Sequence, residues 1–246
     1  PPAMLALHGV HVLKELAGLL EEIRAVEVPA DREAMAAVFS SLVVKLSKKR
    51  ADTSDELTEK RIRKGLSTEL FFAKASELAL RWGAIDEALG RSQVPPPVIH
   101  TGDVRDLVHI VGPSAFDLVL TSPPYGGTYD YHAQHALRLA WLGLSDRALA
   151  EAEIGSRRAL DGAAAWDRQV RGILGEIAAV LRPTGRAALV LGDAEIGGRR
   201  VHALSQLRAL APRAGLELVA AASAERLDWR GHEPREEHVV LFRRAR

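Results

Sequence analysis

The run Phe116-Asp117-Leu118-Val119-Leu120-Thr121-Ser122-Pro123-Pro124-Tyr125-Gly126-Gly127 limits what this chain can fold into more than any other stretch. Its first half is apolar and rich in Leu and Val, which reads as a buried strand. Two adjacent prolines then end it, because proline can neither continue a sheet ladder nor enter a helix interior. A core strand that stops at a rigid, semi-polar spike capped by an aromatic ring suits an open α/β sheet, where ligands bind off the carboxyl ends of the strands.

The flanking sequence predicts such a sheet. Val98-Ile99-His100 reads as a short strand ending at Thr101-Gly102-Asp103, and Ala187 to Leu191 as a third strand ending at Gly192-Asp193. Leu137, Ala140, Trp141 and Leu144 share one helical face, as do Ile173, Leu174, Ile177, Val180 and Leu181 ahead of the turn Arg182-Pro183-Thr184-Gly185. A helix over 202–211 leads to strands Leu216–Ala221 and Glu237–Phe242. Strands alternating with helices predict a mostly parallel α/β sheet. The last two strands leave no room for a helix between them and are expected as an antiparallel pair at one edge.

The N-terminal third reads as helices. Leu13, Leu16, Leu20 and Ile23 fall on one face, then Met35, Val38, Phe39, Leu42, Val43 and Leu46, then Phe71, Ala75, Leu78, Trp82, Ile85 and Leu89. Thr53-Ser54-Asp55-Glu56 has the spacing of a capping box and predicts a new helix start. Pro95-Pro96-Pro97 closes the region, so the expected division is a helical part over 1–97 and an α/β part over 98–246.

Composition narrows the partners. The 246 residues carry a net charge of only +1, so a nucleic-acid surface must come from local clustering. The stretch from Lys45 to Lys64 offers it, with Lys45, Lys48, Lys49, Arg50, Lys60, Arg61, Arg63 and Lys64 against Asp52, Asp55, Glu56 and Glu59. By itself it reads first as a solvated helical face. The absence of cysteine excludes disulfides and thiolate metal sites and fits a reducing cytoplasm. The histidines show no metal-ligand spacing, and no metal is expected. No segment offers the roughly 20 apolar residues of a membrane span, nor a basic-then-apolar leader. Asp193 reads as an ordinary polar strand end, and Trp166, Trp229 and His232 as packing or surface residues.

The chemistry lies in the proline pair. Proline at 123 holds Ser122 extended and removes competing N–H donors, leaving a cluster of acceptors beside an aromatic face. Fixed acceptors next to a flat ring suit the exocyclic amine of a nucleobase. Pulling on its two N–H bonds favours a tetrahedral, nucleophilic nitrogen, while the ring stacks on a base swung out of its helix.

Thr121-Ser122-Pro123-Pro124-Tyr125 resembles the catalytic motif of amino-group DNA methyltransferases, which use S-adenosylmethionine to methylate cytosine N4 or adenine N6. "HTGDVRDL" resembles the segment whose acid contacts the cofactor adenine, which falls on Asp103. "LRPTGRAALVLGD" and "TYDYHAQHALRLAWLGL" resemble the helix–turn–strand and the helix that follow the motif. The resemblance runs from Val98 to Phe242. It implies a Rossmann-like class I methyltransferase sheet with an N-terminal or inserted helical region. It also implies target-amine binding by Ser122 and the Pro123 carbonyl, a turn held by Pro124, and stacking by Tyr125. Asp103, Val104 and Thr121 are the implied cofactor contacts. Transfer would be direct in-line attack on the sulfonium methyl, which calls for positioning and not for a cysteine nucleophile. Ser at the first motif position is more typical of cytosine-N4 enzymes.

The family's Phe-x-Gly-x-Gly cofactor loop is absent from the sequence. Pro1-Pro2-Ala3-Met4-Leu5 looks like the residues that follow the family's second strand, so the first two strands are expected to be missing. Some members place a DNA-recognition segment where the basic stretch lies, which makes Lys48, Lys49, Arg50, Arg61, Arg63 and Lys64 the implied contacts to double-stranded DNA. A bacterial modification or restriction–modification setting is implied, with a cytoplasmic, nucleoid-associated location and a restriction endonuclease as a possible partner. Two alternatives stay open: an adenine-N6 DNA or RNA amino-methyltransferase, and a non-catalytic DNA-binding remnant.

Overall fold

In the computed structural model the described residues are 6–52, 54, 56–90, 95–145, 147–156, 161–227 and 233–245. They fall into two compact units, Pro1–Pro97 with His132–Ala150, and Val98–Tyr131 with Glu151–Arg246. The segment after the proline motif, read from sequence as part of the α/β region, thus belongs mostly to the helical unit.

In the helical unit, periodic apolar residues give α1 (Val10–Ala25), α2 (Pro29–Val43) and α3 (Leu66–Gly90). Helix α2 opens on Pro29, whose missing N–H costs nothing in the first turn. Leu16, Leu20, Ile23, Phe39, Leu42, Phe71, Leu137 and Trp141 form one buried cluster, the last two from α5 (Tyr131–Leu142). His8 meets Trp141 edge-on at 5.7 Å. The apolar stripe of α3 is buried only near its start: Trp82, Ile85 and Leu89 are exposed. The helix expected to start at Thr53–Glu56 is not seen in the described residues that follow, since 56–63 are not helical. Thr53 and Asp55 lie outside the described residues, but Ser54 Oγ accepts from the Glu56 N–H at 3.1 Å, and Lys49 bridges Leu57 across a turn. A side-chain acceptor two residues upstream favours a turn as readily as a helix cap.

In the α/β unit, α4 (Leu107–Val111), β1 (Phe116–Thr121), α6 (Arg147–Ala152), α7 (Gly162–Val180), β2 (Leu181–Gly192), β3 (Ala194–Ile196), β4 (Arg199–Val201), α8 (Ala203–Leu210), β5 (Leu216–Leu227) and β6 (Pro234–Arg244) follow in order, with α6 crossing the unit boundary. The main sheet has the order β1-β2-β6-β5. Only β1 and β2 pair in parallel; β6 runs antiparallel to both β2 and β5. The sheet is therefore mixed and not mostly parallel, because the reversed strand is inserted between β2 and β5. The antiparallel β5–β6 pair lies at one edge, as expected, and is longer than its apolar core suggests.

Three further expectations are corrected. β1, read from its apolar run as a buried strand, has no buried residue, because it is an edge strand with β2 as its one neighbour among the described strands. Val98-Ile99-His100 is not a strand; Val98 and Ile99 are exposed, and no described strand pairs with the outer edge of β1. β-propensity without a neighbouring ladder does not make a strand. The turn at 182–185 is a bulge inside β2: Phe116 pairs with Leu181, and the next aligned pair is Leu118 with Arg186.

Helices α7 and α8 cover one face of this sheet. Trp166, Ile173, Leu174, Ile177 and Leu207 pack on Ala187, Leu189, Leu191, Val240 and Phe242. From the opposite face Leu118, Leu120, Val219 and Val239 project as exposed apolar side chains. No helix among the described residues is long and apolar enough to cross a membrane.

Candidate active site

Beyond β1 the chain leaves the sheet at Ser122, which is exposed, while Pro123, Pro124 and Tyr125 are half-buried. Pro123 lies with Trp166, Val170, Leu189 and Leu191 around a void of about 10 Å³, so the proline ring seats on the core and its neighbour Ser122 faces outward. The next turn has no space for side chains. A Cβ on Gly126 would lie 2.5 Å from Trp166 Cε2, and one on Gly127, whose φ is +65°, would lie 2.1 Å from the Glu195 carbonyl oxygen. Gly155, also at positive φ, would meet Trp166 Cζ3 at 2.8 Å. The Gly127 N–H donates to the Gly155 carbonyl at 2.8 Å, and Ser156 Oγ donates to the buried Asp130 at 2.9 Å. Trp166 is thus a packing residue, as its sequence context suggests, and the loop after the prolines is clamped against it. Trp229 and His232 lie outside the described residues.

The Tyr125 ring is held by residues from three other strand ends. Its hydroxyl donates to Glu237 Oε1 at 2.7 Å, near the start of β6. The Arg226 guanidinium, near the end of β5, lies 5.0 Å from the ring centroid, within cation–π range. Arg226 Nε is 3.3 Å from Glu237 Oε1. At the end of β2, Gly192 lets the ring pass: a Cβ there would be 2.9 Å from Tyr125 Cε2 and 2.7 Å from Arg226 Nη2. Burial, and then the carboxylate it donates to, pushes the Tyr125 phenol above its ordinary value, while the Ser122 hydroxyl acts in the opposite direction. Sequence reasoning assigns no role at the site to Arg226, Glu237 or Gly192. The one signal for them is register: Gly192 pairs with Glu237, which sets the β6 carboxylate beside the motif.

Asp193, one residue on, is spent on structure. It is buried, accepts from the Ala203 N–H at 3.0 Å at the start of α8, and faces His202 Nδ1 at 3.2 Å, His238 Nε2 at 3.5 Å and Arg200 Nε at 3.8 Å.

Of the implied cofactor contacts, Thr121 ends β1 and Val104 packs against the α/β core. Asp103 accepts from the Arg105 N–H at 2.9 Å and from the Arg105 guanidinium, which holds its carboxyl below the usual carboxylate range. The segment is fixed to α7, where Glu176 accepts from the Val108 N–H at 2.9 Å. No hydrogen bond among the described residues joins Asp103 to the motif. An ionised carboxylate fits an adenine amino group, but the chain has no Phe-x-Gly-x-Gly cradle. The residues present therefore fit one end of S-adenosylmethionine only.

The basic candidates lie in the helical unit on an extended ribbon and not on a helix. Lys48 pairs with Glu59 at 2.8 Å, Arg50 with Glu56 at 2.7 Å, and Arg63 with Glu69. Lys60 donates to the Lys45 and Lys49 carbonyls and ties the ribbon together. Lys49, Arg61 and Lys64 form no ion pair among the described residues. No group of three or more potential metal ligands occurs among the described residues.

No protein-family model matches the sequence. No curated protein matches it either. Among solved structures it is similar in part to a protein from Thermus thermophilus described provisionally as a DNA modification methylase, with 18% identity and a TM-score of 0.37 over 60% of this chain and 53% of that one. The same protein complexed with S-adenosyl-L-methionine gives 18% identity and a TM-score of 0.36 over 60% and 53%. Its selenomethionine derivative gives 17% and 0.36 over 59% and 51%. The chain spans about half the length of these structures. At this distance neither activity, cofactor nor substrate passes from them to this chain.

Proposed function

We propose that this chain carries the base-binding half of a DNA amino-methyltransferase, with the exocyclic amine of an extruded base, cytosine N4 in the first instance, as its target. The observation that carries the reading is the spike itself: the edge strand β1 ends in an exposed Ser122 beside a half-buried, clamped Tyr125 ring. Ser122 Oγ and the Pro123 carbonyl are the acceptors for the two amine N–H bonds, Pro124 holds the turn, and Tyr125 stacks on the base. When bound, S-adenosylmethionine supplies the electrophilic methyl group. Asp103 contacts its adenine, and Val104 and Thr121 are further contacts to the cofactor. Lys49, Arg61 and Lys64 are the readiest phosphate contacts, since Lys48, Arg50 and Arg63 must first exchange a carboxylate partner. Such exposed pairs contribute only about 0–1 kcal/mol, so the exchange is cheap.

Mass spectrometry of DNA nucleosides from a host expressing the chain, together with calorimetric titration by S-adenosylmethionine, tests this. N4-methylcytosine is expected. N6-methyladenine without it would overturn the cytosine reading, and no modified base with no cofactor binding would overturn the enzyme reading. Tyr125→Ala should weaken base binding by about 1–3 kcal/mol, the usual worth of a base–aromatic stack.

A further inference from the structure

The motif accounts for Tyr125 as a stacking ring but not for the groups that hold it. A tyrosine on a loop ordinarily keeps rotameric freedom, and a ligand that stacks on it must first freeze that freedom. Here the ring is restrained at three points from three strands. Glu237 of β6 accepts the phenol hydrogen bond at 2.7 Å, Arg226 of β5 lies over the ring at 5.0 Å, and the bare Cα of Gly192 at the end of β2 fits against its edge. Glu237 also pairs with Arg226 at 3.3 Å, so the three side chains close a triangle. Arg226 Nε is buried and makes no aligned hydrogen bond among the described residues; the ion pair and the ring contact hold the side chain there. The Tyr125 ring itself packs against the hydrophobic core, and Arg226 and Glu237 hold it from its polar side.

We infer that Arg226 and Glu237 are positioning residues that pre-set the plane of the Tyr125 ring for stacking on a nucleobase. The inference rests on the base-binding reading above. Glu237 fixes the far end of the ring, Arg226 braces its face, and the base meets a ring whose orientation is already chosen.

The test uses the 246-residue chain with ring-labelled tyrosine. It has three tyrosines, so Tyr125→Phe assigns the Tyr125 resonances. Spectra are taken with and without a single-stranded deoxycytidine pentamer, for the wild type and for Arg226→Ala, Arg226→Lys, Glu237→Ala and Glu237→Gln. The expected result is a Tyr125 signal that shifts when the pentamer binds in the wild type. The alanine variants should move the unliganded Tyr125 signal and weaken pentamer binding about three- to tenfold, the cost of ordering one side chain on binding. Arg226→Lys and Glu237→Gln, which keep a cation and an acceptor, should recover part of the loss. Unchanged melting temperatures would separate this effect from a loss of fold. Wild-type affinity in both alanine variants, or tighter binding by Arg226→Ala, as a blocking side chain would give, overturns the inference and leaves the base-binding reading intact. No Tyr125 response to the pentamer in the wild type overturns both.

Discussion

Strands β1 and β2 are parallel neighbours, and each leaves the sheet through polar residues, yet the two ends behave as opposites. At the end of β2 the Asp193 carboxylate is buried and meets the Ala203 N–H, His202, His238 and Arg200. At the end of β1 Ser122 is exposed, and its hydroxyl lies beside the Tyr125 phenol, whose ring other strands have fixed. A polar group with its partners already inside the protein organises the protein. One that is held rigidly and still open to water is prepared for a partner from outside. Residue type and surroundings both contribute: the proline pair fixes the β1 end locally, while Asp193 reads as an ordinary polar strand end until its buried partners are seen.

Substitutions can break this contrast, and the largest effect should come from what both ends stand on. Trp166→Ala removes the ring that packs against Gly126 and Gly155 and should cost about 3–5 kcal/mol, measured by urea unfolding. Asp193→Ala strands the Ala203 N–H and His238 in the interior and should cost about 3 kcal/mol in the same assay. Gly192→Ala forces the Tyr125 ring and Arg226 away from the strand and should cost about 1–3 kcal/mol, with displaced Tyr125 resonances. Ser122→Ala should change stability by less than about 0.5 kcal/mol, because nothing buried depends on that hydroxyl, while abolishing methyl transfer in an active preparation. Full transfer activity in that variant would remove the role given to Ser122.

The smallest effect concerns pH. Arg105 lowers the carboxyl pKa of Asp103 in the folded chain. A depressed carboxyl adds stability that is present above its unfolded pKa and is lost as pH falls through the folded one. Arg105→Ala should therefore move the Asp103 titration, followed by carboxyl-carbon NMR, upward toward the ordinary carboxylate range.

Sequence periodicity carried a good part of this fold. The apolar faces of α1, α2 and α7, the strand before the prolines and the closing antiparallel pair are all readable because each depends on residues close in the chain. What escaped depends on partners far away. Val98-Ile99 has the composition of a strand and no ladder to join. The second half of α3 carries an apolar stripe whose Trp82, Ile85 and Leu89 stay exposed. The site divides in the same way. Ser122 to Tyr125 is legible because proline geometry is local. Arg226 and Glu237 are not, because 112 residues separate Tyr125 from Glu237 and only the register of β2 with β6 unites them.

The glycines around Trp166 have a practical consequence for anyone altering this loop. Positions 126, 127 and 155 have no vacant volume, so a library that randomises them should return almost only glycine among folded clones, while randomised Ser122 should return nearly every residue. Selecting the same library first for solubility and then for base binding would give two different maps. Where the second map is stricter than the first is where the loop stops being architecture and becomes a tool.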